Sequence, residues 1–373
     1  MSQGPAGGAV EQLVEGKADA ASPFSPGVWR NRQPGMSYRR LGRTGFMVSE
    51  FGFGCTSLVP TYYRNLQLAV EMGLNYIDTA EQYGDGASER AVSKVISGAN
   101  RDRVFVVTKV SSWEKRRNDH FGKLLASLPE ADRKAAQQAA EDDIVRRRAA
   151  ERDYFGNYFA GQDRQLRATA LSNVLEARYG ATSWRKDSAA QIIESVEASL
   201  RRLKTDHLDI LICPHAAGGA YEVTSFPETL EAFERLRRSG KVAHLGVSAH
   251  SDPAGVIRGA IQAKVYSMAM VAYNIVNHAY VDRALDEAAA ADLGIVAMKV
   301  ARPVHPNRKH GTPVPEDWLR RLHSTVPGKA KVPLKAYAFA LRNRHVAAVN
   351  SEMLSTTMVR ENLALGARKA ATK

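Results

Sequence analysis

An acid and a phenol lie five residues apart on one short segment of the chain. Asp78 closes an apolar run, and Tyr83 follows it among turn-forming glycines. Lys109 and His215 each come at the end of a later apolar run. Four ionisable groups after three successive apolar runs are difficult to explain by packing alone, and they indicate a site.

These four residue types fit the reduction of a carbonyl group. A hydride that reaches a carbonyl carbon leaves an alkoxide, which must be protonated as it forms. The Tyr83 hydroxyl would supply that proton, and a lysine ammonium at Lys109 would lower its pKa from the usual value near 10. Asp78 would keep the lysine charged and in place. His215 would orient the carbonyl oxygen or relay the proton.

The same residue types also bind zinc, which makes a metal site the rival interpretation. Structural and catalytic zinc sites draw on closely spaced His and Cys ligands. No H-x-x-x-H pattern and no close Cys/His set accompanies these positions, and the chain has two cysteines, Cys55 and Cys213. The sequence therefore predicts no metal and no disulfide framework.

Short β-rich runs alternate with amphipathic helical runs along most of the chain. The predicted strands are Glu50–Gly54, Asn75–Asp78, Val104–Thr108, Leu208–Ile212, Ala243–Val247, Tyr266–Val271, Gly294–Met298 and Val346–Val349. The predicted helices are Tyr63–Met72, Ser88–Ser97, Ala189–Leu203, Pro227–Ser239, Asp252–Ala263, Val281–Ala291, Pro333–Arg342 and Thr357–Gly366.

Strictly alternating strands and helices indicate parallel strands joined by right-handed crossovers. Eight such units favour an α/β fold of the closed (β/α)8 TIM-barrel type over an open doubly wound sheet. The glycine-rich dinucleotide fingerprint is also incomplete, because its third glycine is missing after Gly52 and Gly54. In a barrel the carboxyl ends of all strands meet at one mouth, which would bring the four candidate residues together.

Three regions are predicted. Residues 1–35 are rich in Gly, Ala, Pro and Ser and are expected to form a flexible tail. Residues 36–373 would form a single barrel domain, beginning with a hairpin. Residues 113–187 would be a helical insertion on the active-site face, because about 80 residues separate Lys109 from Ala189, where a typical connection needs about 2 to 6. The insertion would be a lid that shapes the substrate pocket, an oligomer interface or passive decoration.

Composition narrows the class of protein. The chain has 373 residues, 44% of them apolar, which suffices for one large core. Neither a membrane-spanning apolar run nor a signal peptide is evident, so a cytoplasmic protein is expected. The net charge of +13 invites nucleic acid as a partner, but basic runs at 115–117 and 146–148 are interrupted by nearby carboxylates. A small-molecule carbonyl substrate, no nucleic acid and no membrane are predicted, with possible homo-oligomers through the insertion.

Several motifs resemble the aldo-keto reductase superfamily. The segment Asp78–Glu89 is similar to its signature, as are Tyr38–Gly45, the Val-Thr-Lys that ends at Lys109, and Gly240–Ser248. Arg360–Leu363 resembles its late cofactor motif. The resemblance implies a (β/α)8 barrel that reduces an aldehyde or ketone with NADP or NAD. It assigns catalysis to Asp78, Tyr83 as general acid, Lys109 and His215. It implies cofactor contacts at Gly54, Thr56, Ser248, Lys299, Ser355, Glu361 and Asn362.

The chain departs from the family pattern at other positions. Pro214 occupies the usual place of the histidine, which makes His250 a second candidate for its role. Four usual cofactor contacts are replaced, by Ala249, Met270, Glu352 and Leu354. These replacements leave two alternatives to a reductase. One is a binding or regulatory subunit that retains the catalytic residues, and the other is a redox-neutral lyase or isomerase on the same barrel.

Overall fold

The computed structural model describes residues 27–156, 158–180, 183–305 and 313–367. Its strands are β1 (Val28–Trp29), β2 (Tyr38–Arg40), β3 (Phe46–Ser49), β4 (Phe51–Gly54), β5 (Tyr76–Asp78), β6 (Phe105–Lys109), β7 (Leu208–Ile212), β8 (Val242–Ala249), β9 (Met268–Ala272), β10 (Gly294–Met298) and β11 (Val346–Ser351). Strands β4 to β11 pair in chain order, all parallel, and close into a barrel between β11 and β4. The predicted (β/α)8 barrel is confirmed.

The described α-helices are α1 (Arg64–Glu71), α2 (Ala87–Ser93), α3 (Ser112–Ser127), α4 (Glu130–Arg146), α5 (Arg152–Phe155), α6 (Gln162–Tyr179), α7 (Ser188–Leu203), α8 (Ala220–Thr224), α9 (Pro227–Arg238), α10 (Pro253–Ala263), α11 (His278–Ala290), α12 (Glu316–Thr325), α13 (Val332–Arg342) and α14 (Thr356–Leu365). They follow the predicted alternation, with α3 to α6, α8 and α12 as additions. Within the described residues, none of these helices combines the length and apolarity that crossing a bilayer requires.

Side-chain alternation along the strands decides which residues enter the barrel. Successive residues of a strand point to opposite faces, so every second residue shares a face. Tyr76 in β5 and Phe105 and Val107 in β6 pack in the barrel interior. Asp78 and Lys109 continue these two inward rows at the carboxyl ends of their strands. The strand pattern therefore directs both charged groups into the mouth of the barrel.

A small N-terminal sheet closes the other end of the barrel. Strand β2 pairs antiparallel with β3, as the predicted hairpin requires, and Leu41, Phe46 and Val48 pack into the interior cluster. The domain begins before residue 36, which was its predicted start. Strand β1 pairs with β3, and the Arg30 Nη1 atom lies 2.7 Å from Asp209 Oδ1, which ties this segment to β7. Residues 1–26 of the predicted tail lie outside the described residues.

The additional helices α3 to α6 pack on the barrel's carboxyl-end loops. Ile144, Phe155 and Leu166 form part of a small core of their own. Asp252, in the loop after β8, accepts hydrogen bonds from Arg147 Nη1 at 2.7 Å and from the Tyr154 hydroxyl at 2.6 Å. Because these bonds are buried or partly buried, they hold the four helices against the mouth of the barrel.

Candidate active site

A cavity of about 1120 Å³ opens at the carboxyl-end mouth of the barrel. Its volume is sufficient for a large ligand, since small-molecule sites typically occupy about 300 to 1,000 Å³. The predicted site residues that line it are Gly54, Thr56, Asp78, Tyr83, Lys109, His215, Ser248 and Lys299. Residues of α3 and the aromatic ring of Phe159 also line it. The barrel and the additional helices therefore share one cavity.

Asp78 and Lys109 form a buried ion pair at the base of this cavity. The Lys109 Nζ atom lies 2.5 Å from Asp78 Oδ1, and the side chains are 2% and 3% exposed. Lys109 Nζ also donates to the Thr79 carbonyl at 2.7 Å, and Asn350 Nδ2 donates to Asp78 Oδ2 at 2.9 Å. Burial lowers the pKa of Lys109, but Asp78 and Tyr83 outweigh it, and the pKa is raised overall. The lysine is therefore a fixed cation.

The ring of Tyr83 lies beside this cation. Lys109 Nζ is 4.8 Å from the centroid of the Tyr83 ring, which is within cation–π distance. The expectation that the lysine brings the pKa of Tyr83 below its usual value is wrong. Burial has the larger effect and raises the pKa of Tyr83, while Lys109 opposes that rise. The phenol consequently keeps its proton at neutral pH, as a proton donor must.

The loop that carries Tyr83 is held by buried hydroxyl contacts. Thr79 Oγ1 lies 2.7 Å from Ser88 Oγ, and Ser88 Oγ donates to the Cys55 carbonyl at 2.8 Å. Gly86 has a φ of +77°, and a Cβ atom there would lie 2.4 Å from Arg202 Cδ. The loop therefore requires glycine at this turn, both for its backbone conformation and for the close approach of Arg202.

His215 faces the cavity as a neutral imidazole. Its Nδ1 atom lies 2.6 Å from Ser111 Oγ and 3.3 Å from Gln82 Nε2. Because an amide nitrogen can only donate, Nδ1 must accept, which places the ring proton on Nε2. Burial lowers the pKa of His215 well below its usual value, and Lys109 and Lys299 add to this shift. The ring can therefore donate a hydrogen bond from Nε2 to a carbonyl oxygen.

His250 also lines the cavity but is placed differently. Its ring packs edge-on against Phe159, with centroids 5.3 Å apart, and its Nδ1 atom is buried without a hydrogen-bond partner among the described residues. The side chain of His250 is partly exposed and lies against Phe159. His215, rather than His250, has the hydrogen bonds that orient an imidazole.

Three predicted cofactor residues do not line the cavity. The Ser355 hydroxyl caps α14 by accepting from Met358 N at 3.2 Å. Glu361 pairs with Lys331, and Asn362 Nδ2 donates to the Ser351 hydroxyl at 3.0 Å. In this structure their side chains hold α14 in place, while their predicted role toward a cofactor stays untested.

Two residues of the site were missed from the sequence. Asn350 follows the last residue of the predicted strand that ends at Val349, and the structure places it against Asp78. Ser111 orients His215, and its own backbone N donates to Glu81 Oε1 at 2.9 Å. Asn350 could have been found from the sequence, because it is a polar residue directly after an apolar strand. Ser111 had none, because its contact with His215 depends on tertiary structure.

Within the described part of the chain, no three His, Cys, Asp or Glu side chains are arranged to hold a metal ion. A closed parallel barrel with polar side chains at its carboxyl-end mouth defines the class of TIM-barrel proteins with a site in the usual position. Residues 59–305 match the model of the aldo/keto reductase family. The chain belongs to this family.

Individual relatives are more distant. An uncharacterised oxidoreductase, YqkF, from Bacillus subtilis is 27% identical over 57% of this chain and 49% of its own length. The methylglyoxal reductase YeaE from Escherichia coli is 27% identical over 49% of this chain and 37% of its own. The chain thus spans half or less of the length of these two relatives.

Solved structures resemble the fold over a larger part of the chain. A holo aldo-keto reductase from Bacillus halodurans superposes with a TM-score of 0.59 and 23% identity, covering 90% of this chain and 93% of its own. An aldo-keto reductase from Klebsiella pneumoniae in complex with NADPH gives 0.53 and 20%, covering 89% of both chains. At this level of identity the likeness supports the fold.

Proposed function

We propose that the chain is an NAD(P)H-dependent oxidoreductase that reduces an aldehyde or ketone to an alcohol, with Tyr83 as general acid. The observation that carries this proposal is the arrangement at the base of the cavity, where Tyr83 lies 4.8 Å from a lysine that is ion-paired to Asp78. Membership of the aldo/keto reductase family supports it. The substrate would be a small carbonyl compound.

Each residue of the site would have a distinct role in the reduction. The cofactor supplies the hydride when it is bound. Tyr83 gives its proton to the carbonyl oxygen, and Lys109 stabilises the phenolate that remains. Asp78 keeps Lys109 charged, and Asn350 keeps Asp78 in place. His215 donates from Nε2 to the same carbonyl oxygen and so fixes the direction from which the proton arrives.

The cavity offers groups that fit a nicotinamide cofactor. The Oδ1 atom of Asn350 is buried without a hydrogen-bond partner among the described residues, so it can accept from an amide such as that of nicotinamide. A Cβ atom at Gly54 would lie 3.3 Å from Asn350 Nδ2, so the glycine avoids a tight contact with the Asn350 amide. Lys299 and Arg302 line the same cavity and supply positive charge for phosphates.

One group in the cavity opposes a phosphate. Glu352 lines the cavity and its Oε1 atom accepts from Ser57 N at 2.6 Å. Leu354 lies close by and is 60% exposed. A carboxylate here repels phosphate, which weakens the case for NADPH over NADH. Either cofactor is therefore proposed.

Titration of NADPH and NADH against the protein's fluorescence tests this proposal. A reductase should bind one of them at micromolar concentration. If neither binds at millimolar concentration, the reductase proposal fails and a redox-neutral enzyme is favoured. Binding without turnover of any carbonyl would favour a binding or regulatory subunit.

The affinity for the cofactor should fall as the pH rises through about 8. Burial lowers the pKa of Lys299 to about 8, and Arg302 adds to the shift. Lys299 is thus charged below that pH and neutral above it, so its attraction for an anion is present at pH 7 and lost at pH 9. A bound anion will move the transition somewhat higher. We expect Kd to rise about 2- to 5-fold, as for one partly exposed ion pair.

Fluorescence titrations of Lys299→Met at both pH values provide the comparison. At pH 7 this variant should bind the cofactor about 2- to 5-fold more weakly than wild type. Its Kd should differ little between pH 7 and pH 9. Lys134→Met is the matched control, because Lys134 lies on α4 and pairs with Glu130 at 2.7 Å on the surface. A Kd that rises equally in wild type and in Lys299→Met would refute a role for Lys299 in binding the cofactor.

A further inference from the structure

One face of helix α3 forms a polar wall of the cavity. The residues that line the cavity from this region are Ser111, Glu114, Lys115, Asn118 and Asp119. Their spacing of 3, 4, 7 and 8 residues places them on one side of a helix. Ser111 contacts His215, and Glu114 lies three residues further on, which corresponds to a rise of roughly 4.5 Å. The wall therefore begins at the proposed reaction centre and leads away from it.

Most polar groups of this wall already have partners in the protein. Ser111 Oγ lies 2.6 Å from His215 Nδ1. Asn118 Oδ1 accepts from Ser172 Oγ at 2.9 Å. Lys115 and Asp119 pair with each other at 3.6 Å, near the cavity entrance, where both side chains are exposed. These four residues have their hydrogen-bonding capacity at least partly satisfied without a ligand.

Glu114 differs from the other residues of the wall. Its Oε1 atom is buried and has no hydrogen-bond partner among the described residues. A buried polar oxygen without a partner costs roughly 1 to 3 kcal/mol. Because Glu114 lines the cavity, a ligand hydroxyl that reaches this carboxyl group would supply the missing partner and recover that free energy on binding.

The surroundings of Glu114 favour its neutral form over its charged form, compared with an exposed glutamate. The cation that acts on Glu114 is Arg117, which is buried and already bonds Glu176, with Arg117 Nε 3.0 Å from Glu176 Oε2. Arg117 Nη1 also faces Glu222 Oε1, at 3.6 Å. Burial raises the pKa of Glu114 well above its usual value, Glu222 raises it further, and Arg117 opposes both. A neutral carboxyl group can both donate and accept a hydrogen bond.

We propose that Glu114 determines substrate specificity by hydrogen bonding to a hydroxyl group that the carbonyl substrate carries about one helical turn from its reactive carbon. This inference rests on the proposed reductase function, and it gives the helices between β6 and α7 a role in selecting the substrate. A hydroxyl group can bond the carboxyl group of Glu114 in either protonation state, whereas a carboxylate on the substrate would add negative charge beside Glu222. Phe159, which lines the same cavity, would contact the apolar part of the substrate.

A pair of matched aldehydes tests this proposal. 4-(Hydroxymethyl)benzaldehyde and 4-ethylbenzaldehyde have nearly the same shape and differ by a hydroxyl in place of a methyl group. The meta isomers provide the same comparison for a shorter reach. In wild type we expect kcat/KM to favour the hydroxymethyl compound of one isomer by about tenfold, the effect of one well-made hydrogen bond. The difference should lie mainly in KM.

Three variants separate this role from a structural one. Glu114→Leu should reduce the preference to about onefold, mainly by raising KM for the hydroxymethyl compound. Glu114→Gln should retain most of the preference, because its amide also donates and accepts. Glu130→Leu is the control, since Glu130 is an exposed residue of α4 outside the cavity. A wild type without preference in either isomer pair, or a preference that survives Glu114→Leu, would overturn the proposal.

The proposed reductase function can fail independently of the proposed role of Glu114. If wild type reduces none of the aldehydes with either cofactor, the reductase proposal is at fault, and the same pairs are then measured as ligands by calorimetry. A binding preference for the hydroxymethyl compound that Glu114→Leu abolishes would still support Glu114 as the selecting residue. Equal binding of the two compounds, or a preference unchanged in Glu114→Leu, would refute it.

Discussion

Tyr83→Phe is expected to lower kcat for carbonyl reduction by about 10³-fold, within the range of about 10² to 10⁴ typical of a lost general acid. The substitution removes one oxygen atom and leaves the ring beside Lys109, so the protein should keep its stability and its cofactor affinity. Steady-state kinetics and a fluorescence titration of the same preparation measure both quantities.

The control for this prediction is Tyr62→Phe. Tyr62 carries a phenol that is 71% exposed and lies outside the main cavity. This variant should retain wild-type kcat. If Tyr83→Phe turns over carbonyls within threefold of wild type, another group supplies the proton, and His215 would be the first to consider.

Lys109→Met is expected to reduce turnover as strongly and, in addition, to destabilise the fold by about 3 to 5 kcal/mol. The methionine has a similar length but no charge, so Asp78 would be left buried and unpaired apart from its bond to Asn350. Removing one partner of a buried ion pair costs about this much, because the remaining charge has no compensation. Urea unfolding followed by circular dichroism measures the loss.

The double variant Asp78→Asn/Lys109→Met separates stability from catalysis. It removes both charges, so most of the lost stability should return, while turnover should stay low because no cation is left beside Tyr83. The pH dependence of Lys109→Met gives a second measure. Protonation removes the charge of the unpaired Asp78, so its burial costs less. The difference in the free energy of unfolding between this variant and wild type should therefore shrink as the pH falls. A Lys109→Met variant as stable as wild type would refute the buried ion pair.

The barrel was predictable because its signals are local. Each predicted barrel strand overlaps an observed one, and Leu208–Ile212 and Gly294–Met298 agree at both ends. Apolar runs with polar residues at their carboxyl ends follow from burial on both faces of a parallel strand. The same pattern placed Asp78 and Lys109 at the barrel mouth, where the structure shows them as an ion pair.

Other features depend on contacts between distant segments. The pKa of Tyr83 was misjudged because burial depends on the surrounding loops and outweighs the lysine. Glu114 is one charge among many in a polar helix, and its burial depends on the packing of Arg117 against Glu176 in α6 and Glu222 in α8. Strand β1 was missed because two residues give no periodicity, and its place is fixed by pairing with β3.

The oxidation of bound cofactor by an added aldehyde is the most direct test of the proposed function. Wild type is mixed with NADPH or NADH and an aromatic aldehyde, and the loss of reduced nicotinamide is compared with the alcohol formed. We predict that one cofactor is oxidised for each alcohol produced, and that this reaction is nearly abolished in Tyr83→Phe. A cofactor that binds to wild type but stays reduced with every aldehyde and ketone supplied would contradict the reductase function.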